Sequence, residues 1–187
     1  MLEYFTEALV LDKQDLGEAD GLVHLYTEEL GRLSAKARSI KKITSKSSAH
    51  LEPVHFVKVR FILGKNGSFQ VIDSLSFEKG LKKKIKNCPE KLAKFLRISN
   101  FIKEMSPELQ SDQNLWQAIK NIFHSDIEER SAYGLILKEL GLDPQYAVCN
   151  ICGADNINFF YKTDQSFFCD KCVPAQKVFS KSLVKII

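Results

Sequence analysis

The sequence predicts an α+β protein with an N-terminal five-stranded β-barrel, a helical domain after it, and a four-cysteine element inserted before the last helix. Three observations predict this class. Up to residue 77 apolar and polar residues alternate with the period of β-strands. Beyond Glu78 the apolar spacing changes to about 3.6 residues, the period of α-helices. Two CxxC motifs with sixteen residues between them lie at residues 149–172. We therefore expect domains at residues 1–78 and 79–187, with the cysteine element at about residues 146–174 of the second.

Five segments of the first 77 residues have the alternation of strands. They cover residues 4–11, 22–27, 32–38, 54–63 and 69–77. A polar turn is expected over residues 12–20, and Asn66-Gly67 is typical of a hairpin turn because it suits positive φ. The inward-facing residues of the last two strands would be Val57, Val59, Phe61 and Leu63, followed by Phe69, Val71, Leu75 and Phe77.

Five short antiparallel strands in about 75 residues suit a small closed barrel. The common five-stranded form is the OB-fold, which binds nucleic acid across one face and its flanking loops. An SH3-like barrel or a small open sheet fits the pattern almost as well.

The third strand opens a stretch without acidic residues that runs from Gly31 to Leu51. Leu33, Ala35 and Ala37 would face the interior and the cationic residues the other side. The second half is rich in Ser, Thr and Lys and predicts a loop. A cationic strand that continues into a cationic loop suits phosphate binding, although a solvated surface strand would explain the charge equally well. The basic residues of the stretch are Arg32, Lys36, Arg38, Lys41, Lys42 and Lys46.

The helical region begins with a lysine-rich segment that Pro89 divides into two predicted helices. The second has an apolar stripe at Leu92, Phe95, Leu96 and Ile102. Ser106-Pro107 predicts the start of the next helix, because proline favours the first turn. The apolar positions of that helix are Leu115, Ala118, Ile119, Ile122 and Phe123.

The remaining helices are predicted from capping signals. Ser125 and Glu128 have the spacing of a capping box, and the helix after them would end at Gly141. Its buried residues would be Tyr133, Ile136, Leu137 and Leu140. The apolar residues after Val178 predict one last short helix. We expect Trp116 to lie in the core.

The cysteines have the spacing of a structural zinc site, with Cys149 and Cys152 in the first motif and Cys169 and Cys172 in the second. Each motif presents two thiolates from one tight turn, and the aromatic residues between them suit a hairpin. Four sulfur ligands would satisfy one tetrahedral Zn²⁺ and leave no open position for catalysis. A redox-active thiol pair is the alternative. Cys88 lies outside the pattern.

No motif of a common catalytic site is present in the sequence: there is no P-loop, GxGxxG or GxSxG, and the four histidines are scattered. We therefore expect a binding protein and not an enzyme. The N-terminus has Glu3 and Glu7 and no basic region, so a secretory signal is not expected. No apolar run has the length of a membrane span. We expect a soluble cytoplasmic protein. Its net charge is only +4, so the distribution of charge matters more than the total.

The amino-acid sequence of the N-terminal half resembles that of the N-terminal domain of the RecO family of bacterial recombination-repair proteins. The resemblance is carried by residues 8–63, from ALVLDKQDLGEADGLVHLYTEELGRLSAKARSIKK to SKSSAHLEPVHFVKVRF. CNICG and FFCDKC resemble the zinc motif of many members. The chain is shorter than RecO proteins usually are, which implies a reduced helical domain.

The resemblance implies binding to single- and double-stranded DNA, annealing of complementary strands, and contact with the single-strand-binding protein SSB and with RecR. Together these proteins help to load RecA onto SSB-coated DNA. The phosphate contacts would come from the basic residues of the stretch from Gly31 to Leu51, with Lys58 and Arg60 second. A basic helical surface could hold the acidic tail of SSB, although a solvated lysine-rich helix would explain the charge at least as well; its residues are Lys82, Lys83, Lys84, Lys91, Lys94 and Arg97. The alternatives are a zinc-stabilised scaffold for protein partners without direct DNA binding, and a nuclease with an unrecognised site.

Overall fold

The computed structural model describes residues 2–41, 49–77, 88–173 and 182–186. Five strands form a closed barrel in the order β1-β2-β3-β5-β4. The strands are β1 (Leu2–Leu16), β2 (Asp20–Thr27), β3 (Gly31–Ala37), β4 (Phe56–Leu63) and β5 (Phe69–Ser76). Four of the pairings are antiparallel, and the pairing of β3 with β5 is parallel. The closed barrel excludes the small open sheet and is consistent with the predicted OB-fold.

The first strand closes the barrel because it is long enough to pair on both sides. Residues 2–9 pair with β4, and residues 8–16 pair with β2. The prediction of a polar turn over residues 12–20 was therefore wrong in part. Asp12 to Leu16 continue β1, and the turn is confined to residues 17–19. Polar side chains do not end a strand whose backbone groups still have a partner to bond.

The barrel interior is built mainly from the alternating residues that the sequence predicted. Leu33, Ala35 and Ala37 of β3 are buried, and so are Val57, Val59 and Phe61 of β4. The fifth strand departs from the prediction, because its pairing with β4 shifts register between Arg60 and Phe61. Beyond the shift Ser74 is buried and Leu75 is 60% exposed. An irregularity of this kind reverses the facing of the residues that follow it.

Three helices follow the barrel: α1 (Pro89–Met105), α2 (Gln113–Ser125) and α3 (Glu129–Glu139). The predicted helix before Pro89 falls on residues 78–87, outside the described residues. The buried face of α1 contains Phe95 and Ile102 as predicted, whereas Leu96 is 38% exposed. The apolar faces of α2 and α3 are also as predicted, apart from Ala118 and Leu140, which are half-buried.

Two predicted helix starts were wrong. Ser106 caps the C-terminus of α1, and α2 begins only after Asp112, whose carboxylate accepts hydrogen bonds from the N–H groups of Asn114 and Leu115. Ser125 is the last residue of α2 and forms no capping box with Glu128, which itself precedes α3 without a side-chain cap. In both cases tertiary contacts outweigh a weak local signal.

Contacts divide the chain into two compact units, residues 1–116 and 117–187. In the first unit α1 packs against β1 and β2. The predicted domain boundary at residue 78 borders the segment 78–87 that is not described, and it stays a prediction.

The second unit contains a small sheet with the strand order β7-β6-β8. β6 (Ile157–Tyr161) and β7 (Ser166–Cys169) form the predicted aromatic hairpin. β8 (Leu183–Lys185) pairs antiparallel with β6, so the prediction of a last helix was wrong for these residues. A short apolar run does not distinguish a strand from a helix. Within the described residues no helix combines the length and apolarity needed to span a membrane.

Candidate nucleic-acid surface and candidate metal site

The basic end of β3 is bound to the turn between β1 and β2. Lys36 extends from the outer face of β3, opposite the buried Ala35 and Ala37, and its Nζ lies 2.9 Å from Oδ2 of Asp20. The other oxygen of the same carboxylate accepts the N–H of Ser39 at 2.8 Å. Asp20 therefore fixes both a lysine side chain and the backbone that follows the strand.

Lys41 repeats this arrangement on the other side of the turn. Its Nζ lies 2.9 Å from Oδ2 of Asp15 and donates to the carbonyl oxygen of Gly17 at 2.9 Å. Its backbone N–H donates to the carbonyl oxygen of Ala19 at 3.1 Å. We call the group of Asp15, Asp20, Lys36, Arg38 and Lys41 the basic turn cluster. It places three cations and two carboxylates at one end of the barrel.

Arg38 differs from the two lysines of the basic turn cluster, since it is exposed and forms no ion pair within the described residues. Its charge still acts on Asp20. The Ser39 N–H first, then Lys36 and Arg38, hold the pKa of the Asp20 carboxyl below its ordinary value. Asp20 is thus ionised at neutral pH.

Arg32 points along the barrel to a different partner. Its Nε donates to the carbonyl oxygen of Ser106 at 2.7 Å, and Nη1 donates to Oε1 of Glu108 at 2.9 Å. The side chain is only 20% exposed. The phosphate contact predicted for Arg32 stays a prediction, and the geometry gives this residue a structural role as well.

Lys58 and Arg60 of β4 lie beside acidic residues of β1. Nζ of Lys58 is 3.8 Å from Oε1 of Glu7, and Nη1 of Arg60 is 3.2 Å from Oε1 of Glu3. Asp73 of β5 pairs with Arg60 from the other side. This face therefore has more acidic than basic residues, which makes it a weaker phosphate site than the basic turn cluster.

An aromatic side chain can stack on an unpaired base only if it is exposed, and the aromatic residues of the barrel divide into buried and exposed ones. Tyr26 and Phe56 are both 1% exposed, and the buried indole of Trp116 covers them with ring centroids 6.3 and 5.9 Å away. They cannot stack on bases in this structure. Phe5, by contrast, is 63% exposed and pairs with Arg60 across β1 and β4. The alternating pattern did not identify Phe5 as exposed. The sequence does not show whether an apolar residue on the outer face of a strand is exposed or is covered by another element.

The remaining predicted basic residues are only partly described. Lys42, Lys46, Lys82, Lys83 and Lys84 lie outside the described residues. Lys91, Lys94 and Arg97 lie at three-residue intervals along α1, so they share one side of the helix. The Nζ of Lys94 lies 5.0 Å from the centroid of the Phe95 ring.

The four predicted cysteines lie together and form the candidate metal site. Their sulfur atoms all lie within 4.8 Å of one another. The sulfurs of Cys152 and Cys169 are 3.7 Å apart, too far for a disulfide. Tetrahedral Zn²⁺ with Zn–S bonds of about 2.3 Å requires sulfurs about 3.8 Å apart. The arrangement therefore fits zinc.

The surroundings of the sulfurs favour the thiolate of Cys149 and the thiol of Cys172. Hydrogen bonds from the backbone N–H of Cys169, then from those of Cys152 and Ile151, lower the pKa of the Cys149 thiol to about 6. A hydrogen bond with the Cys152 sulfur, together with burial, raises the pKa of Cys172 to about 12. Gly153 adopts φ +70° and donates its N–H to the carbonyl oxygen of Cys149, which closes the first turn.

Comparison with known proteins identifies the relatives of this chain. Residues 1–80 match the family model described as recombination protein O N terminal. The DNA repair protein RecO of Thermodesulfovibrio yellowstonii is 28% identical, over 97% of this chain and 75% of that protein. The DNA repair protein RecO of a Thermoanaerobacter species is 27% identical, over 89% of this chain and 70% of that protein. The DNA repair protein RecO of a Nocardioides species is 40% identical, but over only 34% of this chain and 26% of that protein.

Over residues 1–80 the chain therefore matches the RecO family, and over most of its length it is similar to DNA repair proteins RecO. These relatives are DNA repair proteins, and the four-cysteine cluster of this chain fits zinc binding. Sequence reasoning identified the basic residues of this barrel but missed Asp15 and Asp20 as their partners. The available signal was the acid-rich segment DKQDLGEAD between the first two strands. It was assigned to a turn because a linear pattern does not show which lysine approaches which carboxylate.

Proposed function

We propose that this RecO-like chain binds single- and double-stranded DNA, anneals complementary strands, and acts with RecR to load RecA onto SSB-coated DNA. The observation that supports the DNA part is the basic turn cluster, which gathers Lys36, Arg38 and Lys41 at one end of a barrel that matches the RecO family. Neutralising phosphates there would release counterions, so affinity should fall steeply with salt. Annealing needs two strands held close together and no catalytic group.

The proposed phosphate contacts are those of the cationic stretch, Arg32, Lys36, Arg38, Lys41, Lys42 and Lys46, with Lys58 and Arg60 second. The two residues of β4 rank lower because each already pairs with an acid of β1. We propose Phe5 as the described aromatic residue best placed to stack on an unpaired base, since its ring is exposed beside Arg60.

We propose that the four-cysteine cluster binds one Zn²⁺ with a structural role, through Cys149, Cys152, Cys169 and Cys172. When bound, the ion would hold the two turns of the hairpin together. We propose that α1 contacts the acidic tail of SSB through Lys91, Lys94 and Arg97, with the undescribed Lys82, Lys83 and Lys84. Such a protein would act in the cytoplasm at the nucleoid.

Strand annealing tests the proposal. Complementary oligonucleotides are annealed with and without SSB across a salt series, and we expect salt-sensitive annealing in both cases. The double variant Lys36→Glu and Arg38→Glu should reduce DNA affinity by at least about tenfold without loss of folding. The matched control reverses Arg130 and Lys138, two exposed cations of α3, by the same charge. Equal affinity in the two variants contradicts the assigned surface.

Annealing of naked strands alone would retain the DNA surface and contradict the SSB contact. Titration of an SSB tail peptide against a Lys91, Lys94 and Arg97 to Ala variant tests that contact directly, and unchanged affinity excludes it. A folded, zinc-loaded protein that neither binds nor anneals DNA would favour the scaffold alternative.

A further inference from the structure

Both lysines of the basic turn cluster form ion pairs with carboxylates of the chain. Nζ of Lys36 lies 2.9 Å from Asp20, and Nζ of Lys41 lies 2.9 Å from Asp15. A carboxylate oxygen and a phosphate oxygen are alternative anionic partners for the same ammonium group. A DNA strand must therefore displace an internal anion to use either lysine fully.

In each of these ion pairs one partner is partly buried and held by a further contact, whereas Asp15 is 75% exposed and Lys36 is 42% exposed. The Asp20 side chain is only 26% exposed, and its second oxygen is fixed by the Ser39 N–H. Lys41 is fixed at three points, by Asp15, by the carbonyl oxygen of Gly17, and through its own backbone N–H. Anchoring reduces the conformational entropy that a surface pair usually loses when it forms, so these pairs persist.

We infer that Asp15 and Asp20 limit the affinity of this surface by acting as internal substitutes for phosphate; the inference rests on the proposed DNA binding. Each carboxylate withholds one lysine from the strand and repels any phosphate that replaces it. Arg38, which forms no ion pair within the described residues, makes the first contact. Weak, rapidly exchanging contacts suit a protein that anneals strands, because a strand bound too tightly is not released to its complement.

The test uses variants that remove the carboxylate charge but keep the shape of the side chain: Asp15→Asn, Asp20→Asn and the double variant. In Asp20→Asn the new amide can still accept the Ser39 N–H through its carbonyl oxygen. The matched control is Glu18→Gln. Glu18 is exposed in the same turn and forms no ion pair within the described residues, so its loss changes net charge equally without releasing a lysine.

We expect each Asp variant to bind a single-stranded oligonucleotide about threefold to fivefold more tightly than the wild type, and the double variant about tenfold. The slope of log affinity against log salt should steepen by about 0.7 for each lysine released. Glu18→Gln should change affinity less than about twofold and leave the slope unchanged. The double variant should also anneal more slowly at saturating protein, because it releases strands more slowly.

The outcomes separate this inference from the proposed function. If the wild type binds DNA through Lys36 and Arg38, but the Asp variants bind no better than Glu18→Gln, the inference is overturned and the function stands. If the wild type binds DNA and each Asp variant binds more tightly than Glu18→Gln, both the function and the inference are supported. If neither wild type nor any folded variant binds, both are overturned. Thermal melting of every variant verifies that it is folded.

Discussion

Arg32 donates its Nε–H to the carbonyl oxygen of Ser106 at 2.7 Å, across 74 positions of sequence. The contact ties the start of β3 to the segment after α1, and the N–H of Leu109 returns a hydrogen bond to the carbonyl oxygen of Arg32. Ser106 is itself buried. A cation selected from sequence as a phosphate contact thus also fastens α1 and the segment up to Trp116, which we call the helical layer, to the barrel.

Replacing Arg32 with Ala should therefore lower stability and not only DNA affinity. We expect a loss of about 1–3 kcal/mol in the free energy of unfolding, because a buried carbonyl oxygen loses a charged donor. Urea denaturation measures it. Arg38→Ala is the control, since that exposed side chain should change stability by less than about 0.5 kcal/mol. Equal stability of the two variants would contradict the structural role of Arg32.

Gly31 should not tolerate a side chain. It has φ +69°, and a Cβ atom there would lie 1.9 Å from the carbonyl oxygen of Gln110. We expect Gly31→Ala to destabilise the protein by at least about 2 kcal/mol, from backbone strain together with overlap. Gly17→Ala is a sharp control, because Gly17 has φ +71° but nothing within 4 Å of its Cβ position. It should cost only about 1 kcal/mol, and a similar loss in both variants would refute the close approach.

Trp116 should report the packing of the helical layer on the barrel. The indole is fully buried against Tyr26 and Phe56, and it is the one tryptophan of the chain. We expect Trp116→Ala to cost about 3–5 kcal/mol. In the wild type, the red shift of its fluorescence in urea should coincide with the loss of far-UV circular dichroism if this layer and the barrel unfold together. A fluorescence transition at clearly lower urea would show that the layer detaches first.

The ion pair of Asp12 with Lys103 should make the free energy of unfolding depend on pH in the acidic range. Although burial alone would raise the pKa of Asp12, hydrogen bonds from Lys103 and from the Lys13 N–H hold it below the ordinary value of 3.8. The pair joins β1 to α1 over 2.7 Å. A carboxyl whose pKa is lower in the folded state stabilises the protein above pH 3.8, and this contribution disappears as pH falls through the folded pKa.

We therefore expect Lys103→Met to cost about 0.5–1 kcal/mol at pH 7 and much less at pH 2, so that the wild type and variant converge in acid. Urea denaturation at the two pH values measures the difference. Lys138→Met, on the exposed side of α3, should show no such convergence. A constant difference between wild type and Lys103→Met at both pH values would exclude the linkage.

Zinc binding should depend on all four clustered cysteines and on pH. Because thiols must release their protons to bind the metal, we expect zinc affinity to fall steeply between pH 7.5 and about 5.5. Cys149→Ser should abolish stoichiometric zinc and destabilise the hairpin of β6 and β7. Cys88→Ser is the matched control, because Cys88 lies outside the cluster. Metal analysis of the purified proteins gives the stoichiometry, and one zinc retained by Cys149→Ser would contradict the ligand assignment.

Much of the fold could be predicted because it is encoded by near neighbours. The alternation of Leu33, Ala35 and Ala37 identified the inner face of β3. The spacing of the two CxxC motifs predicted that four sulfurs lie together. The predicted helix starts at Ser106 and Ser125 were wrong. A capping signal contributes no more than about 1 kcal/mol, so tertiary contacts decide where the helix begins. The prediction that Leu75 faces the interior was wrong, because the alternating pattern does not reveal a register shift in β5.

The sequence by itself determined that five alternating strands, one of them cationic, precede helices and a zinc-type cysteine pattern, because periodicity and motif spacing are local properties; the closure of the strands into a barrel came from the structure. Only the tertiary structure decided which charges meet. Asp20 reaches Lys36, Asp15 reaches Lys41, and Arg32 reaches Glu108. These pairings depend on strand register and on the path of the chain after α1, and both are set by the packing of segments far apart in sequence. For that reason the cations could be identified from the sequence, whereas the carboxylates that hold them could not.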